Sequence, residues 1–181
     1  MKRYLRFGIP ALACAAGLFV GVAVAQEGGA PGMATPAWMA KGKEHESLKK
    51  YVGTWDAAVN GMPGKATNAL VLGDCFLEQK FEMTIPGMGA FEGRMITGYD
   101  TIDKEWVAIW IDSSKPIFGI SRGTEKDGVI TFKTNDPSMT DPSGKRVPGK
   151  MVLSWVNDAS YKLTMFEGEA QTMEVVYTKA K

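Results

Sequence analysis

The stretch "HESLKKYVGTWDAAV", His45 to Val59, runs a short amphipathic segment directly into Gly53-x-Trp55 and then into extended, alternating residues. His45, Leu48 and Val52 fall at i, i+3 and i+7, while Glu44, Glu46, Lys49 and Lys50 lie largely on other faces. That spacing predicts a helix from about Lys43 to Val52 with one apolar side. So short a helix is marginal alone and must dock on something. What it docks on is decided by the residues that follow.

Everything after Gly53 reads as strands. The clearest is "CFLEQKFEM", Cys75 to Met83, in which Cys75, Leu77, Gln79, Phe81 and Met83 alternate with Phe76, Glu78, Lys80 and Glu82. That is a period of two. About ten such runs are separated by segments carrying the Asp, Asn, Gly and Pro of tight turns. These are "NGMPGK", "LGD", "IPGMGA", "YDTIDK", "DSSKP", "EKDG", "DPSMTDPSGK", "NDAS" and "EGEA". No helical period intervenes, which excludes a βαβ layout and points to an antiparallel meander. An open sheet of that many strands would leave two unpaired edges, and closure removes both. The expectation is an all-β domain over residues 43–181, an up-and-down antiparallel β-barrel of about ten strands capped by a short N-terminal helix. The opening junction then acquires a meaning. The helix lies across one end of the barrel, Trp55 sits inside near its floor, and Gly53 lets the chain turn in sharply.

The chain has 181 residues, and its beginning does not read as barrel. "MKRYLR" carries Lys2, Arg3 and Arg6, an apolar run follows, and Ala23-x-Ala25 supplies the small residues of a cleavage site. Residues 1–25 are expected to be a signal peptide, giving an exported, periplasmic or secreted protein with no membrane span after cleavage. A retained anchor and a lipoprotein modified at Cys14 are the alternatives; "ALAC" is a poor lipobox, with Ala11 where leucine is usual. Residues 26–42 begin "QEGGAPGMATP" and read as a flexible tether. Cleavage removes three of 21 basic residues against 20 acidic ones, leaving a charge of −2. With no basic cluster, nucleic acid is not an expected partner. Removal of Cys14 leaves Cys75 alone, so no disulfide forms within the mature chain.

Several short motifs extend the reading. "VGTW", Val52 to Trp55, following a short helix is similar to the start of the first strand in the calycins, the lipocalins and fatty-acid-binding proteins among them. His45-x-x-Leu48, Gly53-x-Trp55, Phe91-x-Gly93, Gly98-Tyr99-Asp100, Trp110-x-Asp112-Ser113 and Tyr177-Thr178 occur in that order. Together they resemble the bacterial DUF1579 family, a calycin-like group of unknown function. The resemblance implies a barrel and carries over no catalytic residue. Many lipocalins lay a last-strand arginine across the first-strand tryptophan; the final stretch here, "TMEVVYTKAK", offers Lys179, a point charge rather than a stacking plane. In a haem-binding barrel such as nitrobindin the iron ligand comes from the barrel itself. The sole histidine, His45, precedes the first strand, so neither haem nor any other cofactor is expected.

His45 serves either as a general base or as a hydrogen-bonded part of the cap, and zinc held by a histidine cluster is excluded. Cys75, on the face of Leu77 and Phe81, reads as a buried, inert thiol. Asp100 and Asp112 flank a hairpin and could form a carboxylate pair, though Asp at strand ends commonly closes Asx-turns. Ser113 and Ser114 lack a nucleophile elbow. More informative are Phe81, Met83, Met95, Trp106, Trp110 and Trp155, which are expected to wall the lumen. Either they surround a cavity for a small apolar ligand, or they fill the barrel as core. Binding, an enzyme acting through Asp100, Asp112 or His45 on a small or lipidic substrate, and a filled envelope interaction module remain as three readings. Residues 136–150 form the longest connection, a flap over one mouth or a solvated hairpin end.

Overall fold

The computed structural model describes residues 36–181 except 141, 142 and 144. The expected signal peptide and the first part of the expected tether lie outside the described residues. From 36 to 42 the chain forms a 3-10 turn, Ala37–Met39, and is tied to the barrel by the Thr101 hydroxyl, which donates to the Trp38 carbonyl. Lys41 Nζ adds a second tie, donating to the Gly73 carbonyl at 2.8 Å.

Helix α1 (Lys43–Ser47) runs on as a 3-10 segment, Leu48–Tyr51. This changes which residues face the barrel. At three residues per turn, His45, Leu48 and Tyr51 stack on one side. Tyr51 is 2% exposed, whereas Val52, expected on the buried face, is 39% exposed. An α-helical period places Val52 on the buried face, and the tighter 3-10 winding moves the contact by one residue. Trp55 Nε1 and Asn68 Nδ2 both donate to the Tyr51 carbonyl, at 2.8 and 2.9 Å, so the helix end is fastened from inside the barrel.

Ten antiparallel strands follow: β1 (Gly53–Val59), β2 (Met62–Val71), β3 (Phe76–Ile85), β4 (Gly89–Asp100), β5 (Glu105–Asp112), β6 (Lys115–Lys126), β7 (Val129–Thr140), β8 (Arg146–Asn157), β9 (Ser160–Glu167) and β10 (Ala170–Lys179). Each pairs with its sequence neighbour, and β1 pairs with β10, Trp55 opposite Lys179, to close the barrel. Lys179 of the last strand reaches the first-strand tryptophan: its Nζ lies 5.8 Å from the centre of the Trp55 ring. Gly53 has φ +129°, a backbone region that side chains strain, which is why the chain can swing from the cap into the first strand here.

Two details differ from expectation. Much of the stretch 136–150 is strand: Met139 pairs with Val147 and Thr140 with Arg146, after a register shift between Thr134 and Met139. Pro137 and Pro148 signal a loop, but both fall where the register shifts between Thr134 and Met139, a bulge that accommodates proline. Cys75 precedes β3, in the turn, and is half-buried rather than enclosed; its Sγ sits 3.8 Å from the Gly73 carbonyl.

Candidate functional site

The interior is unequal along its length. At the helix end aromatic rings pack its centre, and a polar cleft of about 490 Å³ lies beside the helix, between Lys43, Glu44 and Ser47 on one side and Tyr99, Trp106 and Glu125 on the other. Trp55 is fully buried and meets Tyr161 edge-on at 4.8 Å and Trp155 at 6.1 Å; Tyr51 meets the same two rings at 5.1 and 5.2 Å. Edge-to-face contacts of this kind add about 0.5–1.5 kcal/mol each to simple burial. Trp106, 1% exposed, closes another sector against Tyr99.

Above this floor runs a buried polar belt. Asn68 Nδ2 and Gln79 Nε2 donate to the Tyr161 hydroxyl at 3.0 and 3.1 Å, and the Tyr177 hydroxyl donates to Gln79 Oε1 at 3.4 Å. Tyr161 and Tyr177 stack at 4.2 Å. Burial pushes both phenols well above the ordinary tyrosine range, so they stay protonated and act as neutral hydrogen-bonding groups. Thr97, beside Ala108 across β4 and β5, buries a hydroxyl with no hydrogen-bond partner among the described residues. Gln79 is inward by the alternation of β3 and Tyr177 belongs to the Tyr177-Thr178 motif, whereas Asn68, Thr97 and Tyr161 carry no distinguishing pattern in the sequence.

Beyond the belt the barrel is hollow. A cavity of about 490 Å³ opens at the end away from the helix. Phe81, Phe91 and Trp110 form one wall, and six of the eleven methionines line the space: Met62, Met83, Met95, Met151, Met165 and Met173. Gln79, Ser121 and Tyr177 lie at its base; Asn60, Asp112 and Lys115 stand at its rim. Of the six residues expected along the lumen, Phe81, Met83, Met95 and Trp110 therefore share this cavity. Trp106 and Trp155 do not. They face inward, as the alternation implied, but at the packed end.

The wall around Trp110 explains two of the motifs. Gly93 and Asp112 are cross-strand partners, and the indole lies over Gly93 so closely that a Cβ there would stand 2.2 Å from Cη2. Trp110 Nε1 donates to Asp112 Oδ2 at 2.9 Å, and Phe91 stacks on the ring at 6.5 Å. Phe91-x-Gly93 and Trp110-x-Asp112 are thus one device that pins an indole flat against the barrel wall.

The remaining candidates have structural employment. His45 is buried; its Nδ1 accepts from the Gly42 N–H at 3.0 Å and its ring meets Tyr99 edge-on. Asp100 accepts from the N–H groups of Ile102 and Asp103, closing an Asx-turn. Asp112 does the same for Ser114 at the other end of β5. Asp100 pairs with Glu105, seven residues from Asp112, so the two carboxylates lie about 23 Å apart along the strand. They form no acid–base pair. Ser113 Oγ accepts from the Glu92 N–H at 3.0 Å.

Burial pushes the Asp112 carboxyl up, but the hydrogen bonds from Ser114 and Trp110 outweigh it and hold the group below its ordinary value of 3.8. A depressed folded-state value means stability that is complete above 3.8 and lost as pH falls through the folded value. Acid titration of the fold followed by circular dichroism should therefore show a loss below pH 3.8 that is shallower in Asp112→Asn. An identical acid limb in the variant would show that the carboxylate holds nothing in place.

The motifs that order the sequence thus account for the barrel's cap, its fixed indole and its closing seam. No curated protein matches the chain. The profile of the family described as "Protein of unknown function (DUF1579)" matches residues 40–179, which is the barrel with its capping helix. By that match, the chain belongs to the DUF1579 family.

Proposed function

We propose that this protein binds a small, predominantly apolar molecule in the open half of its barrel. The observation that carries the reading is the lining of the open end: rings and thioethers wall about 490 Å³ there, whereas the cleft beside the helix is lined mainly by charged and polar groups such as Lys43, Glu44, Lys104 and Glu125. That volume falls within the usual range for small-molecule sites, about 300–1,000 Å³. Methionine walls adapt to shape, and a few polar groups at base and rim suffice to orient a guest. Binding is favoured over turnover because Asp112, the carboxylate in the lining, has its oxygens committed to Trp110 and Ser114.

Trp110 is the tryptophan of this lining, so it reports occupancy. Titration with an apolar fluorophore should give saturable binding with energy transfer from, or quenching of, Trp110. Trp110→Phe should lower that signal by the contribution of the indole in contact with the probe, the other tryptophans of the chain lying farther off. Failure to saturate, or an unchanged signal in the variant, would remove the cavity as the binding site. We also propose export, supported by Lys2, Arg3 and Arg6 ahead of the apolar run and Ala23-x-Ala25. Mass spectrometry on protein from its native source examines both ideas, an N-terminus at Gln26 and a co-purifying apolar compound being expected. An intact Met1 would refute cleavage.

A further inference from the structure

Three methionines on consecutive strands form a row in the cavity wall. Met151 of β8 pairs directly with Met165 of β9, and Met165 pairs directly with Met173 of β10. All three line the hollow and are half-buried, so they can be reached from the mouth. Cβ atoms of directly opposed residues on antiparallel strands lie about 4.5–5.5 Å apart. Unbranched side chains with three rotatable bonds can bring their sulfurs from such positions to one point.

The chemistry of that row is selective. A thioether is a soft, neutral donor that favours Cu(I) over the hard and borderline divalent ions. Among the described residues no group of three His, Cys, Asp or Glu side chains could hold a metal, so the cavity has no competing site for zinc or calcium. We propose that Met151, Met165 and Met173 form a three-thioether site for a soft monovalent cation, Cu(I) in its native setting. Thioethers carry no proton to lose. Binding should therefore be the same at about pH 5 and pH 8, whereas imidazole or thiolate ligation strengthens across that interval.

The test uses the purified protein with ¹³C-labelled methionine methyl groups, titrated with Ag(I) as nitrate in chloride-free buffer. The methyl resonances of Met151, Met165 and Met173 should move together and saturate with one silver ion beyond any that the free Cys75 thiol takes up, at both pH values. Met165→Leu, which conserves volume, should abolish saturation, and Cys75→Ser should leave it intact. Shifts confined to other methionines, binding that strengthens with pH, or binding that disappears in Cys75→Ser would each overturn the site. The wild-type titration decides the matter even where Met165→Leu folds poorly. The inference does not rest on the apolar-ligand reading: silver binding without fluorophore binding would sustain the one and end the other.

Discussion

Trp55→Ala should lower stability by about 3–5 kcal/mol, the usual cost of removing a large buried aromatic. The ring is fully buried and touches Tyr161 and Trp155, so the void opens at the centre of the packed end. Its indole N–H is one of two donors to the Tyr51 carbonyl, and its face receives Lys179 from the closing strand. The variant thus loosens the cap and the seam as well as the core. Urea denaturation gives the free energy, and a fall in melting temperature of about 6–20 °C is expected for a chain of this size. Trp55→Phe, which keeps most of the apolar area and loses the donor, should cost less. A loss under about 1 kcal/mol in Trp55→Ala would show that the helix end is not the stable base inferred here.

Gly93→Ala should cripple binding more than folding. An added Cβ would lie 2.2 and 2.3 Å from two atoms of the Trp110 ring, too close for local adjustment. The indole is held on its other sides by Asp112 and Phe91, so relief requires it to swing off the wall into the hollow. Overpacking of this kind costs about 1–3 kcal/mol in stability. Displaced into the cavity, the ring should weaken apolar-probe affinity at least about tenfold, equivalent to 1.4 kcal/mol. A double-mutant cycle identifies the cause: in a Trp110→Ala background the three atoms nearest that methyl group are gone, and Gly93→Ala should cost much less stability. Equal costs in both backgrounds would show that the glycine is needed for its backbone alone.

Much of this molecule is legible in its residues because each strand boundary has its own chemistry. The nine turn segments contain residues that tolerate tight turns, and positive φ angles do occur at Asn60, Gly61, Gly73, Gly87, Asp127, Gly128 and Gly168. Alternation also gives direction correctly: Trp106, Ala108 and Trp110 face in, while Ile109 and Ile111 face out. Alternation does not give height. Trp106 and Trp110 are on one face of one strand, yet one belongs to the packed end and the other to the hollow, because position along the axis depends on where each hairpin turns over. Period-based reading failed where the backbone changed its period, at the 3-10 winding that substitutes Tyr51 for Val52. It failed again where prolines suggested a loop within a bulged hairpin. The polar belt is hidden in the sequence for a different reason. Asn68, Gln79 and Thr97 are ordinary strand residues in sequence, and only closure of the sheet brings the first two to Tyr161.

The seam has a consequence for how the molecule comes into being. Trp55 meets Lys179 across it, so the first strand to be synthesised must wait for the last, and no N-terminal fragment can shut the ring. Contacts spanning so much of the chain slow folding. During that wait both unpaired borders are open to other chains. A nascent polypeptide built this way cannot seal until the ten residues of β10 emerge, and a stop codon ahead of Ala170 should yield aggregate rather than a smaller barrel.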